Sequence, residues 1–569
     1  MRKQKLILGI WDGHDAGAAL IQNDEVVFAI NEERLSRRKL EIGFPTRSIA
    51  TCFKYLNLDP ADIDVVATST SDFAKTLTRC FPSARERYYL LRRRKTAPGF
   101  SNRFIKLAKY KLTEWPPSAL TRAVSKMVLK GCLKGVGLNR SGVSLIDHHS
   151  AHAATAAFCS GFSECLVLTI DGIGDGLSGS VRSFRNGKFE HLVPLSGKAS
   201  CGVFFEHVTN LMNMRELEDE GKVMALANYA YPIPDRENPM LDFLLVDGMT
   251  LSARYSSTRM YRELASILWR YPAEQFAYMA QRTLENRVVE LVKNALQETA
   301  HSNLAYAGGV ASNVKVNMLI RELPQIRNLF IFPHMGDGGL ALGAAMWANY
   351  EKSAICAYDV PNVYWGPAFS DASIEQALQN HPSLDFTRMP DTAKKTADLL
   401  STGEIIMWFQ GRMEYGPRAL GSRSILALPN STELKDLLNL KLKKRVWYQP
   451  FCPTMLHEDA VECLEGYSGP PNQFMTCAYR TRKEKRRLLQ GVINVDGSCR
   501  PQILYESGTD VYTSLLKEMK KNTGLGVVLN TSFNLHGEPI VCTPEEALKT
   551  FACTDINFMV MNNYLMSKK

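Results

Sequence analysis

Long apolar runs are missing from this sequence of 569 residues, and none approaches the roughly 20 residues that a membrane-spanning helix needs. Before Asp12 the chain holds only the short run from Leu6 to Trp11, which is too short for the core of a secretory signal. The 13 cysteines include no Cys-x-x-Cys pair, so we expect neither a zinc cage nor a disulfide framework. Together these absences favour a reducing, cytoplasmic location.

Acidic residues are scarce between Arg79 and Lys134, where 15 lysines and arginines face only Glu86 and Glu114. This segment alone carries a charge of +13, whereas the whole chain carries +10. Aromatic residues are interleaved with the cations. We interpret residues 79–134 as a basic insertion that contacts an acidic substrate, a membrane surface or another polyanion. The alternative is a solvated helical surface without a partner, and the sequence leaves both open.

The chain is too long for one core, and its patterns indicate two α/β regions. A strand pattern at residues 6–11 precedes a hairpin signal at Asn23, and a second strand pattern at residues 165–170 precedes another at Asn186. The repeated order predicts a duplicated α/β domain. A linker at residues 361–367 then leads into the second region.

Histidine is rare, yet three of the 11 histidines fall at positions 148, 149 and 152. The spacing of four residues puts His148 and His152 on one face of a helix, a common geometry for two metal ligands. His149 points away from that face, so a structural or supporting role explains it better. Two ligands do not complete a metal site. A third, expected to be a carboxylate, must therefore come from elsewhere in the chain.

Three glycine-rich loops follow predicted strands, at residues 171–176, 308–309 and 336–339. Glycine lets a backbone approach phosphate groups closely. Asn313 and Asn317 follow the second loop at helical spacing and could bind a ribose or a base. The alternative is a tight strand-to-helix turn with capping asparagines. Three such loops in one domain favour a phosphate site more than any one loop does.

Asp12, His14 and Asp15 follow the first predicted strand. A histidine beside carboxylates is typical of a general base. The alternative is a turn formed by the aspartates with a histidine on the surface, and without other observations this alternative is favoured.

The second α/β region places arginine among glycine and proline. Residues 411–424 contain three arginines, and Arg445 and Arg500 follow farther along. Lysines cluster at residues 441–444, and residues 530–534 add amide and hydroxyl donors after an apolar strand. Guanidinium forks and such donors suit a phosphate or a carboxylate. Plain surface charge is a weaker interpretation, because these arginines do not lie in a Lys/Glu run.

Distinctive motifs run along nearly the whole chain in a fixed order. In the first region they are residues 14–16, 32–34, 37–39, 44–45, 148–153, 221–227 and 308–311. In the second region they are residues 416–421, 495–497, 500–501, 530–534 and 537–539. Together they resemble the signature of the NodU/CmcH carbamoyltransferases.

The resemblance implies an α/β protein with a duplicated actin-like ATPase (ASKHA) domain over residues 1–357 and a YrdC-like domain over residues 358–569. It also implies an ATP-dependent O-carbamoyltransferase. In such enzymes the second domain releases phosphate from carbamoyl phosphate. The carbamate then reacts with ATP in the first domain, which gives carbamoyladenylate and pyrophosphate. Finally the carbamoyl group passes to an acceptor hydroxyl, and AMP is released.

The resemblance also assigns site residues position by position. The implied metal ligands are His148, His152 and Asp337, so that Asp337 supplies the expected carboxylate. The implied ATP-binding residues are Asp171, Gly172, Lys222, Gly308, Gly309, Asn313, Asn317 and Asp337. The implied catalytic residues at the acceptor hydroxyl are His14, Asp12 and Lys39. The implied carbamoyl-phosphate-binding residues are Arg418, Lys443, Arg500, Asn530 and Ser532.

One run departs from the family pattern, since Val446 and Gln449 stand where the family has an acid and an arginine. Gln449 keeps hydrogen-bond donors but lacks the charge, so a weaker carbamoyl-phosphate site is expected unless a neighbour such as Lys444 compensates. The divalent metal stays open among iron, manganese and zinc. The implied acceptor is a small molecule with a hydroxyl group, such as a sugar or a natural product. The sequence does not indicate the oligomeric state.

Two other functions are alternatives. The basic insertion favours an enzyme that directs carbamoyl transfer to tRNA, but the fused second domain argues against it. A non-catalytic ATP-binding module would use the same insertion as an interaction surface. The intact set of His148, His152 and Asp337 argues against that alternative.

Overall fold

The computed structural model of the chain describes residues 5–97, 109, 111–469, 473–505 and 510–568. Contacts divide the chain into two compact units: unit 1 comprises Met1–Glu32 and Leu40–Pro361, and unit 2 comprises Glu33–Lys39 and Asn362–Lys569. The predicted boundary after residue 357 lies close to the division after Pro361. The segment Glu33–Lys39, expected within the first domain, groups with unit 2.

Unit 1 contains two five-stranded sheets with the same connections. Their orders are β3-β2-β1-β4-β5 and β8-β7-β6-β11-β12. In each sheet the central strand pairs antiparallel with the next strand of a hairpin and parallel with a strand that follows a crossover. The strands are β1 Leu6–Trp11, β2 Gly17–Gln22, β3 Glu25–Asn31, β4 Val65–Ser69, β5 Gly142–Ile146, β6 Glu164–Gly174, β7 Leu177–Arg185, β8 Lys188–Ser196, β11 Asn303–Ala307 and β12 Asn328–Ile331, with a separate hairpin of β9 Leu244–Asp247 and β10 Thr250–Ala253. The repeated topology confirms the predicted duplication.

Local sequence explains the hairpins and the buried centre of the first sheet. Asn23 and Asn186 have left-handed backbones, with φ of 55° and 50°, which asparagine tolerates in tight turns. Strand β1 is buried along its whole length. The helix Leu340–Ser353 packs so closely on it that a Cβ atom at Gly9 would lie 1.8 Å from the carbonyl oxygen of Ala341.

The helices of unit 1 cover and connect the two sheets. They are Thr46–Leu56, Phe73–Cys80, Pro82–Arg92, Ala119–Lys134, His148–Phe158, Cys201–Leu211, Glu220–Leu226, Ser257–Arg270, Ala273–Thr299, Val314–Arg321 and Leu340–Ser353. Ser257–Arg270 ends before Pro272, because the residue that precedes a proline avoids the helical region and Tyr271 is extended. Ala273–Thr299 then packs into the core beneath the second sheet.

Unit 2 is built on one eight-stranded mixed sheet of order β13-β22-β21-β14-β15-β20-β16-β19. Alternate residues of β14 enter two cores, with Met407 and Phe409 in one and Ile406 and Trp408 in the other, so both faces of the sheet are covered. Its strands are β13 Leu384–Arg388, β14 Ile406–Phe409, β15 Arg423–Ala427, β16 Cys452–Leu456, β19 Gln502–Leu504, β20 Val527–Ser532, β21 Phe558–Met561 and β22 Tyr564–Lys568, and a small pair is β17 Tyr479–Arg480 with β18 Ser498–Cys499. Its helices are Glu33–Ser36, Asp371–Gln379, Thr392–Ser401, Thr432–Leu437, His457–Cys463, Val511–Thr523 and Pro544–Ala552.

In the described ranges, no helix combines the length and the apolar character needed to cross a membrane.

Candidate active site

Four side chains converge at the start of the helix His148–Phe158. Its N-terminus is capped by Asp147, whose side chain accepts a hydrogen bond from the backbone of Ser150. The Nε2 atoms of His148 and His152 lie 3.1 and 3.2 Å from Oδ2 of Asp171, and each lies 3.7 Å from Oδ1 of Asp337. One ligand atom from each residue falls within 4.8 Å of the others. We call this set the His/Asp cluster.

Asp171 is the second carboxylate of the His/Asp cluster. It was expected in the nucleotide site, whereas in the structure it is the carboxylate nearest to both imidazoles. Its other oxygen, Oδ1, accepts a hydrogen bond of 3.0 Å from the backbone of Gly309. Asp171 therefore joins the His/Asp cluster to the glycine turn after β11.

Two further residues hold His148 in place. The hydroxyl of Thr70 lies 2.8 Å from Nδ1 of His148, and Asp175 accepts a hydrogen bond of 2.9 Å from the His148 backbone. Thr70 has a φ of 68°, unusual for a β-branched residue, at the carboxyl end of β4. Nothing in the sequence marks Thr70 as a partner, because the contact joins positions that are far apart along the chain.

The imidazoles and the carboxylates of the His/Asp cluster stabilise each other's charged forms. Burial alone would lower the pKa of His148, but the hydrogen bond to Asp171 and the charge of Asp337 raise that pKa to about 9. The pKa of His152 is raised for the same reasons. Burial would raise the pKa of Asp171, yet the two imidazoles hold it well below its usual value. A divalent cation bound by the two imidazoles would take the place of their protons beside the carboxylates of Asp171 and Asp337.

The glycine turn lies directly against β6. Gly308 has a φ of +99°, and a Cβ atom there would lie 2.2 Å from the carbonyl oxygen of Ile170. Any side chain at this position would therefore push the turn away from the strand that carries Asp171. The close approach leaves the backbone of the turn beside the cluster, as a phosphate-binding role requires.

The asparagines after this turn have structural contacts. Asn313 caps the helix Val314–Arg321 and exchanges hydrogen bonds with Gln281. Asn317 is buried and donates to the carbonyl oxygen of Ala311. These contacts favour the capping interpretation, so ribose or base binding by the two asparagines stays a prediction.

The other two residues expected to bind the nucleotide, Lys222 and Gly172, have different surroundings. Lys222 is half-buried, and its Nζ atom lies 2.8 Å from Oδ1 of Asp219. Gly172 lines the same cavity as the His/Asp cluster. Their roles toward ATP also stay predictions.

His14 lies beside the His/Asp cluster. Its Nδ1 atom is 3.5 Å from Oδ2 of Asp337, and its ring lies against Tyr89 with 5.4 Å between centroids. Burial lowers the pKa of His14 to about 4, so its imidazole is neutral near pH 7. A neutral imidazole can accept a proton, which is what the predicted role requires.

Asp12 is committed to buried ion pairs. Its oxygens accept hydrogen bonds of 2.8 and 2.9 Å from Arg79, and Lys75 lies 2.9 Å away. Burial would raise the pKa of Asp12, but Arg79 and Lys75 hold it far below its usual range. A carboxylate held by two cations is a poor proton acceptor. The contacts therefore favour a positioning role at the end of β1 over the predicted catalytic one.

Residues of the basic insertion form one wall of the cavity beside the His/Asp cluster. The cavity measures about 110 Å³ and is lined by Arg85, Tyr88, Tyr89 and Arg92 as well as by His148, Asp171 and Asp337 of the cluster. Arg92 is itself paired with Glu206 and Glu216. The first part of the insertion is thus built into the domain, contrary to the alternative in which the whole insertion is solvated.

In unit 2, Arg418 and Arg500 form the centre of a second cluster. Nε and Nη2 of Arg500 lie 3.2 and 3.0 Å from the sulfur of Cys452. Burial, and then the charge of Arg500, lowers the pKa of Arg418 to about 9. Burial, together with the charge of the neighbouring Arg500, lowers the pKa of Arg445 to about 10. With Lys443, we call these residues the cation cluster.

The remaining expected carbamoyl-phosphate residues bond to their own surroundings. Lys443 donates to the carbonyl oxygen of Ser532 and to both oxygens of Asn534, so its donors fix that turn. Asn530 is buried and donates to Ala419, Thr454 and Gln502. Lys443 would therefore attract an anion through its positive charge. Asn530 would contribute by holding the strand β20 against Ala419, Thr454 and Gln502.

Lys39 also contributes to the cation cluster. It was expected at the acceptor hydroxyl, but it groups with unit 2. There burial, Arg445 and then Lys39 lower the pKa of Lys443. Gln449 stands where the family has an arginine. Its carbonyl oxygen accepts a hydrogen bond from Asn439, whose side-chain oxygen accepts one from Arg445. The role of the Gln449 side chain stays open.

Comparison with known proteins decides the family. Residues 6–346 match the family description "Carbamoyltransferase N-terminus", and residues 397–568 match "Carbamoyltransferase C-terminus". The chain belongs to the carbamoyltransferase family. It is similar to the nodulation protein NolNO of Sinorhizobium fredii, with 32% identity over 98% of this chain and 79% of that protein. It is also 31% identical to the protein MJ1051 of Methanocaldococcus jannaschii, over 99% of this chain and all of that protein.

This carbamoyltransferase has more distant structural neighbours. Component A of the Acidaminococcus fermentans (R)-2-hydroxyglutaryl-CoA dehydratase matches with a TM-score of 0.34 and 15% identity, over 61% of this chain and 98% of that one. HypF of T. kodakarensis matches with a TM-score of 0.33 and 13% identity, over 62% of this chain and 48% of that one.

Proposed function

We propose that the protein is an ATP-dependent O-carbamoyltransferase that moves the carbamoyl group of carbamoyl phosphate to a hydroxyl of a small-molecule acceptor. The observation that carries the proposal is the His/Asp cluster, set against a glycine turn in a chain of the carbamoyltransferase family. The nodulation relatives support a natural-product or sugar acceptor.

The His/Asp cluster fits a divalent metal ion. Its donors are two imidazole nitrogens and two carboxylates within 4.8 Å of one another, and the second nitrogen of His148 is fixed by Thr70. His148, His152, Asp171 and Asp337 would hold the ion. The bound ion would neutralise negative charge at the α-phosphate of ATP. Mixed nitrogen and oxygen ligands suit iron, manganese or zinc.

The first step belongs to the cation cluster of unit 2. Water attacks the carbamoyl carbon of carbamoyl phosphate, the bond from that carbon to the phosphate oxygen breaks, and phosphate leaves with carbamate as the product. Arg418 and Arg500 present guanidinium groups that pair with no carboxylate among the described residues, so they are free to bind the leaving phosphate.

The later steps belong to unit 1. A carbamate oxygen attacks the α-phosphorus of ATP and pyrophosphate leaves, which gives carbamoyladenylate. The acceptor hydroxyl then attacks the carbamoyl carbon and AMP leaves. His14 accepts the hydroxyl proton, because it lies in the same cavity as the His/Asp cluster.

The sharpest test measures pyrophosphate. Purified protein should release pyrophosphate from ATP only when carbamoyl phosphate is present. Equal release without carbamoyl phosphate would refute the mechanism. An acceptor screen by mass spectrometry, which follows the addition of one carbamoyl group, would then identify the acceptor class.

The metal assignment has its own test. His148→Ala and Asp171→Ala should each lower the bound metal measured by elemental analysis and abolish pyrophosphate release. His191→Ala provides a control, because His191 is exposed on β8 and outside the His/Asp cluster. Unchanged metal content in both cluster variants would refute the ligand set.

A further inference from the structure

The helix Ala119–Lys134, here called the basic helix, lies on the surface of unit 1. Its N-terminus is fixed by a capping box between Ser118 and Thr121. Its inward face is held by Leu129 and Leu133 in the core and by a hydrogen bond of 2.8 Å between Ser125 and Thr76. The helix is therefore anchored on one side, which leaves the opposite half in solvent.

One side of that solvent half is a row of cations. Arg122, Lys126, Lys130 and Lys134 recur every four residues, and all four are exposed. The sequence has no acidic residue from Trp115 to Ile146. Within the described ranges, none of these four cations forms an ion pair with a carboxylate. Their charge is therefore available to an external anion.

A groove continues this row toward the edge strand β5. It measures about 660 Å³ and is lined by Lys126, Lys130 and Lys134 together with Arg140 and Lys352. No acidic side chain is among its described lining residues. Five cations around one concave surface repel each other, so an anionic surface or head group placed there would relieve that repulsion.

The other side of the solvent half is apolar. Leu120 and Met127 are seven residues apart, so they lie on the same side of the basic helix, and they are 73% and 67% exposed. Trp115, just before the helix, is 57% exposed and lies against Phe73 with 5.9 Å between ring centroids. Large apolar side chains thus stand in water next to a row of lysines.

We propose that this face of unit 1, formed by the basic helix and Trp115, docks on an anionic membrane surface. A helix with cations on one side and large apolar residues on the other lies in the interface between head groups and acyl chains. Nucleic acid fits less well, because Trp115 offers a ring on which a base could stack but the exposed side chains of Leu120 and Met127 do not. The proposal is independent of the chemistry at the His/Asp cluster and the cation cluster.

The first experiment tests the charge. Wild-type protein should sediment with phosphatidylcholine vesicles that contain about 30% phosphatidylglycerol, and not with pure phosphatidylcholine vesicles. The variant Lys126→Gln/Lys130→Gln/Lys134→Gln should bind about 100-fold more weakly, since each cation near the surface contributes about a factor of five. Arg482→Gln/Lys483→Gln/Arg487→Gln removes three exposed cations from unit 2 and should bind like wild type. Equal loss in both variants would overturn the assignment to this face.

The second experiment tests the apolar side. Leu120→Ser/Met127→Ser should weaken vesicle binding about tenfold without a change in net charge. Anionic vesicles should shift the tryptophan emission of the wild type to the blue, and Trp115→Phe should lose that shift. Thermal unfolding at the wild-type midpoint shows that each variant is folded. Tighter binding to a single-stranded oligonucleotide than to vesicles, unaffected by Leu120→Ser/Met127→Ser, would overturn the proposal in favour of nucleic acid.

Discussion

Arginines withdrawn wholly or partly from solvent have opposite surroundings in the two units. In unit 1, Arg79 donates two hydrogen bonds to Asp12, and Arg92 pairs with Glu216. In unit 2, the partly buried Arg418 and Arg500 repel each other electrostatically and have no carboxylate partner among the described residues. A charge that is withdrawn from water without a counter-ion is costly, so the first kind of cation holds the fold and the second kind is suited to bind an anion.

The largest expected effect comes from removing a partner in unit 1. Asp12→Ala leaves Arg79 and Lys75 buried without their carboxylate, and should lower the free energy of unfolding by about 3–5 kcal/mol. Urea unfolding followed by circular dichroism measures this change. Asp247→Ala, which alters an exposed carboxylate of unit 1, should change stability by less than about 0.5 kcal/mol. A similar loss in both variants would mean that the ion pairs do not hold the fold.

The contribution of Asp12 should also depend on pH in a defined direction. Because Arg79 and Lys75 hold the pKa of Asp12 below its unfolded value, the stabilisation is complete above pH about 4 and is lost as the pH falls below it. The difference between wild type and Asp12→Ala should therefore shrink in acid. A difference that stays constant from pH 7 to about pH 3 would contradict the lowered pKa.

The next effect is expected from an anion in unit 2. Phosphate at about 100 times its dissociation constant should stabilise the wild type by about 2.7 kcal/mol, because it binds the folded cation cluster. Arg418→Met should abolish this stabilisation, measured as the shift of the urea midpoint. Arg482→Met, on the surface of unit 2, should keep it. Equal phosphate stabilisation of wild type and Arg418→Met would place the anion elsewhere.

Sequence reasoning found what depends on local spacing. Repeated hairpin signals predicted the duplicated domain, and the spacing of His148 and His152 predicted that they share a helix face, as the structure shows. It missed Thr70, because the hydrogen bond to His148 depends on how β4 and the helix pack. Likewise, no local pattern reveals that Asp171 turns one oxygen to the imidazoles and the other to Gly309.

The surroundings of Lys39 could not be derived from local spacing either. The resemblance implies that Lys39 acts at the acceptor hydroxyl, and along the chain its segment Glu33–Lys39 lies between residues of unit 1. In the structure, Arg37 donates to the carbonyl oxygens of Pro539 and Ile540, and so the segment belongs to unit 2. The ion pairs of Arg79 and Arg92 could not be predicted either, because a basic run shows its charge but not which members turn inward.

A smaller effect of opposite sign is expected from Arg418 without an anion. Arg418→Met should leave stability unchanged or raise it by up to about 1 kcal/mol, because it removes one of two positive charges that repel each other. The same urea experiment measures this value in a buffer free of phosphate and sulfate. A loss of more than about 2 kcal/mol would show that Arg418 is a structural cation like Arg79.

The smallest effect is a transfer of protons at Lys443. Burial, Arg445 and Lys39 lower the pKa of Lys443, and a bound dianion would raise it again. In the pH range over which Lys443 of the free protein titrates, sulfate binding should therefore take up a fraction of a proton, and the affinity should fall as the pH rises. Calorimetry in two buffers with different protonation enthalpies measures the uptake. Lys443→Met should remove it and Lys444→Met should not, whereas proton release on binding would contradict the lowered pKa and the comparison built on it.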